Sequence, residues 1–407
     1  MRIASSQIYQ QGINNMIDIS RQLALTQQQV SSGKRFATPA DDPVAASQVV
    51  QLNQELALRE QYQKNIQQVS SQLSLEDSVL GQVTDVLQRI RELTVQAGDG
   101  ALTAQDRASI ATEITTRSEE LMSLMNSRTA SGEYMFAGSR GQTQPFQRNS
   151  AGDVEFKGDE KQRRVQVTAS SSLPINDSGR GVFTEVPSVA TTLSVSATRQ
   201  QDVVGRGRVV DQAAVDALYP DGMVVQFNAV NAAGQPNFTV RRLSDNRVVG
   251  GLENVAYRTG DSVTAQGIEL DLYGTAAPGD TLVLRTGKTQ SVIGTVERLA
   301  GGLNDIGQSN EGLAQLTTLL DQSLGNIDNA MDSILKVRAE VGARMNTADS
   351  AASMHQDVSV VSKDLLSKLQ DVDYTKAISQ LDMQTFVLQA AQQSYARISG
   401  LSLFDVL

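Results

Sequence analysis

The chain has 407 residues, a formal net charge of −10, 40% hydrophobic but only 4% aromatic residues, no cysteine and one histidine, and its pI lies near 4.8. The acidic balance removes any general attraction to nucleic acid or anionic membrane, and the lack of cysteine excludes thiolate chemistry and disulfides. His355, alone on what reads as a polar helix face, leaves zinc binding and Ser-His-Asp catalysis without support.

The first residues lack the apolar core of a cleaved secretory signal, and no run approaches the ~20 apolar residues of a membrane span. A helix is expected from about Ser5 to Val30, ending in the turn Ser32-Gly33-Lys34. Along it, Tyr9, Met16, Leu23 and Val30 form a large apolar row, while Ile13, Ser20 and Gln27 form a mixed second row, the seam of a coiled coil. Pro39 stops helix continuation. Asp42 and Pro43 read as an N-cap followed by proline at the first helical position, where its missing N–H costs nothing, so a joint falls here.

The next helix is the strongest local signal. Ile66, Val69, Leu73, Leu80, Val83, Leu87 and Ile90 hold a seven-residue register interrupted by Glu76, until Gly98-Asp99-Gly100 breaks it. At ~1.5 Å per residue this helix is roughly 80 Å long, a rod. Thr103 and Asp106 form a capping box for a third helix, with Ile110, Ile114, Leu121 and Met125 on one face.

From Phe146 to Leu284 two-residue alternation replaces the helical period, as in Met223-Val225-Phe227, Phe238-Val240 and Ile268-Leu270-Leu272. Turn signals at Pro220-Asp221-Gly222, Ser244-Asp245-Asn246, Thr259-Gly260-Asp261 and Pro278-Gly279-Asp280 separate the strands, which suggests an antiparallel sandwich or barrel-like domain. Helical periodicity then returns. Leu313, Leu316, Leu320, Ile327, Ile334, Val337 and Val341 form a second rod seam with Ser323 and Ala330 as its small members, and a terminal helix carries Leu381, Leu388 and Tyr395 as its large row beside Ile378, Thr385, Gln392 and Ser399. The fold class is therefore α+β: an elongated antiparallel, coiled-coil-like helical bundle built from both chain ends, with an inserted all-β domain. The expected parts are a terminal helix pair (1–41 and 366–407), a helical rod (42–144 and 291–365) and the insert (145–290).

Enzyme readings fail on the residues. Gly287-Lys288-Thr289 resembles the end of a phosphate loop, but Leu282 stands where the loop needs its first glycine. Gly205-Arg206-Gly207-Arg208 lacks a third glycine and a following helix. Asn176 and Asn237 begin glycosylation-like triplets that read as accidental.

Helices, strands, then helices is an order that resembles bacterial flagellins and their axial relatives. The run from Gln28 to Ala46, with Pro39-Ala40-Asp41-Asp42-Pro43, is similar to the N-terminal signature of the flagellar hook-filament junction family, also called the hook-associated protein 3 family. Glu133-Tyr134-Met135-Phe136-Ala137-Gly138 and the C-terminal Asp373-Tyr374-Thr375-Lys376-Ala377-Ile378-Ser379 and Leu401-Ser402-Leu403-Phe404-Asp405 carry the same likeness, over roughly residues 1–145 and 290–407. The resemblance implies a structural role without cofactor, metal or catalysis: a ring of its own subunits, with a sister hook-associated protein on the hook side and flagellin on the filament side. It further implies unfolded export through the flagellar type III channel, a cytoplasmic chaperone at the C-terminal region, and a final place in the extracellular flagellum. The alternatives are a flagellin that builds the filament itself and, more remotely, a glycan-binding or hydrolytic insert.

Overall fold

The computed structural model describes residues 2–149, 152–197, 203–230, 234–307 and 309–400; the side chains of residues 2–6, 8, 9, 310, 311 and 398–400 lie outside that description. Contacts divide the chain into two compact units, residues 1–66 with 350–407, and residues 67–349. Two helices run through the division, α2 (Pro43–Ala97) and α6 (Asn310–Gln370).

The unit made from the chain ends also contains α1 (Arg2–Ser32) and α7 (Tyr374–Gly400). Here Ala45, Val49 and Tyr62 in the first part of α2 are buried, and Tyr62 meets the last part of α6. His355 belongs to that seam rather than to a polar face: it is buried and stacks on Tyr62 with ring centroids 5.2 Å apart. An imidazole has enough apolar body to fill a small-residue seam between Ala351 and Ser362.

The larger unit is built on a helical bundle. The seven-residue register of α2 is its spine: Val69, Leu73, Leu80, Val83, Leu87 and Ile90 are fully buried, and Ile66, just before the division, nearly so. Leu316, Leu320, Ile327, Ile334 and Val341 of α6 are buried as well and Val337 packs partly buried beside them, whereas Leu313, in the first turn of α6, is 44% exposed and falls outside the seam. Two more helices complete the bundle, α3 (Ala104–Met125) and α5 (Val292–Asp305). The Thr103–Asp106 capping box opens α3 and satisfies two otherwise unpaired N–H groups. Ile110, Ile114, Leu121 and Met125 turn inward as their spacing requires. Each such side chain contributes ~1.5–3 kcal/mol of burial.

Between α3 and α5 the described residues form twelve strands, all pairings among them antiparallel. Two short hairpins come first, β1 (Phe146–Arg148) with β2 (Val154–Phe156), and β3 (Arg164–Gln166) with β4 (Ser172–Pro174). A five-residue π turn, Arg180–Thr184, follows. The sandwich comes next. Its five-stranded sheet runs in the order β5 (Val186–Ala197), β12 (Thr281–Gln290), β7 (Gly222–Asn228), β8 (Asn237–Arg242), β9 (Val255–Ala256). Its three-stranded sheet runs β10 (Asp261–Ala265), β11 (Ile268–Gly274), β6 (Val203–Val209). The alternating residues singled out by sequence point inward: Met223, Val225, Phe227, Phe238, Val240, Ile268, Leu270 and Leu272 share one buried core.

Two helical pieces interrupt what reads as pure strand, the π turn and α4 (Gln212–Leu218). Asp211 caps α4 by accepting from the amides of Ala213 and Ala214. Seven residues give too few turns for a period of 3.6 to stand out, so the alternation on either side hid it. The strand region is also two things physically. The sandwich core is drawn from residues 193–284, whereas Phe146, Val182, Phe183 and Val186 join the core of the helical bundle together with Met135 and Phe136 of the Glu133–Gly138 motif.

The base of the sandwich is tied to α6 by a polar clamp. Asn326 Oδ1 accepts from the amide of Val189 at 3.0 Å, Asn329 Nδ2 donates to the Pro187 carbonyl, and Gln290 Nε2 donates to the Asn326 carbonyl at 2.7 Å. Both strands that enter and leave the sandwich are thus held at one place. Asn176 and Asn237 are buried and hydrogen-bonded through their amides, to the Gly138 and Ala229 carbonyls, so neither is open to glycosylation in the folded chain.

Candidate subunit-packing surface

The terminal helices α1 and α7 pack on one another antiparallel. A Cβ added at Gly12 would sit 3.7 Å from Tyr395, and one at Gly33 would come within 3.0 Å of the Tyr374 hydroxyl. These two contacts fix a register in which Ile19 falls opposite Leu388, and Thr26 opposite Leu381. The least exposed residues of α1 repeat as Gly12, Met16, Ile19, Leu23, Thr26 and Val30, and those of α7 as Ala377, Leu381, Gln384, Leu388, Ala391 and Tyr395. The large row of each helix therefore faces the smaller row of the other: Met16, Leu23 and Val30 meet Ala391, Gln384 and Ala377. Alternating large and small positions let side chains interdigitate at close approach.

Met16, Leu23, Val30, Leu381, Leu388 and Tyr395 of the expected large rows lie on the less exposed faces of the two helices, whereas the second rows lie one residue away from those expected. Ile13 is 38% exposed and Ile378 47% exposed, so neither lies in the intramolecular seam; Ser20, Gln27 and Gln392 are exposed too. Thr385 is half-buried beside the seam. The true second rows are Gly12-Ile19-Thr26 and Ala377-Gln384-Ala391. Ile19, more apolar than Ser20, is the signal that could have found the first of them. Small alanines in α7 look like solvent-tolerant filler until the facing row is known. The side chains of Tyr9 and Ser399, and all of Leu401-Ser402-Leu403-Phe404-Asp405, lie outside the described residues.

The seam is unfinished. Met16, Leu23, Val30, Leu381, Leu388 and Tyr395 are only half-buried in it. On the other faces Ile17, Leu25, Met383 and Phe386 stand 50%, 47%, 69% and 72% exposed. An α-helix pair that leaves Phe386 and Met383 in water forgoes most of the burial energy those side chains can supply.

Where α1 ends, Gly33 takes φ +70, the left-handed conformation that closes a helix at no steric cost to glycine. The joint is a crossing of two chain segments. The Arg35 amide donates to the Gln370 carbonyl at 2.7 Å, and the Val372 amide donates to the Gly33 carbonyl at 3.0 Å. Residues 371–373 thereby separate α6 from α7, and Asp373 caps α7 by accepting from the Lys376 amide. Pro39 lies in the turn between Thr38 and Asp41, whose carboxyl accepts from the Thr38 and Ala37 amides and is held below its ordinary pKa by them, Thr38 foremost. Asp42 Oδ1 accepts from the Ala45 amide at 3.0 Å and starts α2, with Pro43 as its first helical residue. The acidic residues of the motif are thus helix and turn caps. Among the described residues no group of three or more His, Asp or Glu is placed to hold a metal, and no helix is long and apolar enough to cross a membrane.

Chain ends that pair as helices outside an inserted strand region define a flagellin-like protein, and both ends match that class. The description "Bacterial flagellin N-terminal helical region" fits residues 3–141, and "Bacterial flagellin C-terminal helical region" fits residues 324–407. Flagellar hook-associated protein 3 of Escherichia coli K12 is 27% identical over 406 residues, spanning 100% of this chain and 99% of its own length. The crystal structure of flagellar hook-associated protein 3 from Legionella pneumophila superposes with a TM-score of 0.55 at 29% identity, covering 79% of this chain and 98% of that one. A flagellin from Clostridium tyrobutyricum is 21% identical over 400 residues, spanning 95% of both chains. The chain belongs to the hook-associated protein 3 family of flagellin-like proteins.

Proposed function

We propose that this chain is a structural subunit of the bacterial flagellum, forming the junction ring between hook and filament on which flagellin assembles. The family works as a structural part of the extracellular flagellum, in assembly with other flagellar components. The observation that carries the reading for this chain is the half-covered pair of terminal helices with Ile17, Met383 and Phe386 in solvent. Helices of this kind gain most of their stability from tertiary or quaternary packing, so neighbouring subunits complete them. In this reading residues 1–41 and 366–407 form the assembly pair, with Tyr9, Met16, Leu23, Val30, Leu381, Leu388 and Tyr395 inside it and Ile13 and Ile378 turned to neighbours. Residues 42–144 and 291–365 are the helical support, and residues 145–290 face outward.

The partners follow from position: further copies of this chain in the ring, a sister hook-associated protein on the hook side, and flagellin on the filament side. Before export through the flagellar channel, a cytoplasmic chaperone holds the C-terminal region. The chain carries out no catalysis in this role. Gold labelling of the chain in isolated flagella tests the assignment. Label confined to the hook-filament boundary is the expected result; label along the whole filament makes the chain a flagellin instead.

A further inference from the structure

The register of α2 has one polar interruption, and the structure gives it a specific neighbourhood. Glu76 is fully buried among Leu73, Leu80 and Val83, positions that are otherwise apolar. Its Oε1 accepts a 3.0 Å hydrogen bond from the Asp177 amide, while its Oε2 has no partner. Asp177 sits in the loop between β4 and the π turn, and its carboxyl is gripped by both Nη atoms of Arg344 of α6 at 2.9 Å and by Gln162 at 2.7 Å. Arg163, which ion-pairs with Glu133, and Glu340, 3.6 Å from Arg344, complete the charged groups around it. One node thus joins α2, α6 and the segment 133–184, whose aromatic residues Phe136, Phe146 and Phe183 rest on the bundle core.

We propose that Glu76 is a proton-operated latch: neutral, it holds segment 133–184 on α2 and α6; ionised, it lets that segment loosen. The geometry makes the neutral form the docked form. Ionised, Glu76 would add a fourth anion to Asp177, Glu133 and Glu340 against two guanidinium groups, and would leave an anionic oxygen buried without a partner. Burial, and next the carboxylate of Asp177, push its pKa from 4.5 to about 8, against the smaller opposing pull of the Asp177 amide, Arg344 and Arg163. The sign follows from linkage: the folded state holds this proton more tightly than the unfolded one. The stability it contributes is therefore complete below the unfolded value of 4.5 and is lost as pH rises through about 8.

The chain has no cysteine, so a single spin-label pair can be placed cleanly on the full-length protein through Ala169→Cys and Lys336→Cys, both at exposed positions. The label distance should be narrow at pH 6 to about 7. Above a midpoint near pH 8 a longer, broader population should grow in. Glu76→Gln, which fixes the uncharged shape, should keep the narrow distance throughout. A distribution in the otherwise wild-type protein that does not change across this range overturns the latch, as does an equal broadening in Glu76→Gln. The pH series on the wild-type chain decides the matter even where the variant folds poorly.

Discussion

The spine of the central bundle and the seam of the terminal pair carry the same sequence pattern and meet different fates. Leu73, Leu80 and Leu87 of α2 are fully buried, while Met16, Leu23, Leu381 and Leu388, spaced the same way, remain half in water. The difference lies in what surrounds them: α2 is covered by α3, α5, α6 and the 146–184 segment within one chain, and α1 has α7. Periodicity in a sequence marks which side of a helix wants covering, and the rest of the fold decides whether the same chain supplies the cover.

Substitution with aspartate separates the two cases, and it carries the largest effect. Leu73→Asp or Leu87→Asp places an unpaired charge in a closed core, which costs several kcal/mol, so the main calorimetric transition should collapse or shift far down. Leu23→Asp or Leu388→Asp should leave the melting of the dilute monomer nearly unchanged, because the charge reaches solvent, and yet abolish incorporation at the hook tip and with it filament growth. Equal losses of thermal stability from both pairs would break the comparison. Limited proteolysis sharpens it: both termini should be cut early while the helical bundle survives.

A second contrast of the same kind lies inside the strand region. Residues 186–290 have their own core and should, expressed alone, show strand-rich circular dichroism and a cooperative melt. Residues 146–184 rest their phenylalanines on the bundle and should show no transition alone. At their border Asn326→Ala removes the acceptor of the part-buried Val189 amide, a loss of ~0.5–1.5 kcal/mol, read as a lower melting temperature for the full chain. A cooperative melt of the isolated 146–184 piece would show that it folds on a core of its own and does not depend on the bundle.

Much of this was legible in the sequence. The heptads of α2 and α6, the Thr103–Asp106 box and the inward strand residues Met223, Val225 and Phe227 follow from period and capping chemistry, because burial there is decided by large apolar side chains. The second rows of the terminal seam were not, because Gly12, Ala377 and Ala391 matter by being small, and smallness has meaning only opposite a large partner. Glu76 reads in sequence as a flaw in a heptad; its role depends on a loop 101 residues away that donates one amide to it. His355 likewise needed Tyr62 on another helix to show that it is a packing residue.

The smallest effect belongs to the joint at the start of α2, where two neighbouring residues divide the work. Pro43 presets a helical φ and gives up an N–H that would be unpaired anyway, so Pro43→Ala should change stability by no more than ~0.5 kcal/mol. Asp42 does more, since its carboxylate accepts the Ala45 amide and also meets Arg35 at 3.0 Å. The ion pair is exposed and adds little, but loss of an N-cap costs ~1 kcal/mol. Asp42→Ala should therefore speed hydrogen exchange at the Ala45 and Ala46 amides by about fivefold, while the bundle built on Leu73 to Ile90 keeps its protection, because a cap acts on its own first turn and the fully buried positions begin several turns later. Exchange that rises equally along all of α2 would mean that the helix opens as one piece, and would tie the chain-end unit to the central bundle in a single cooperative step.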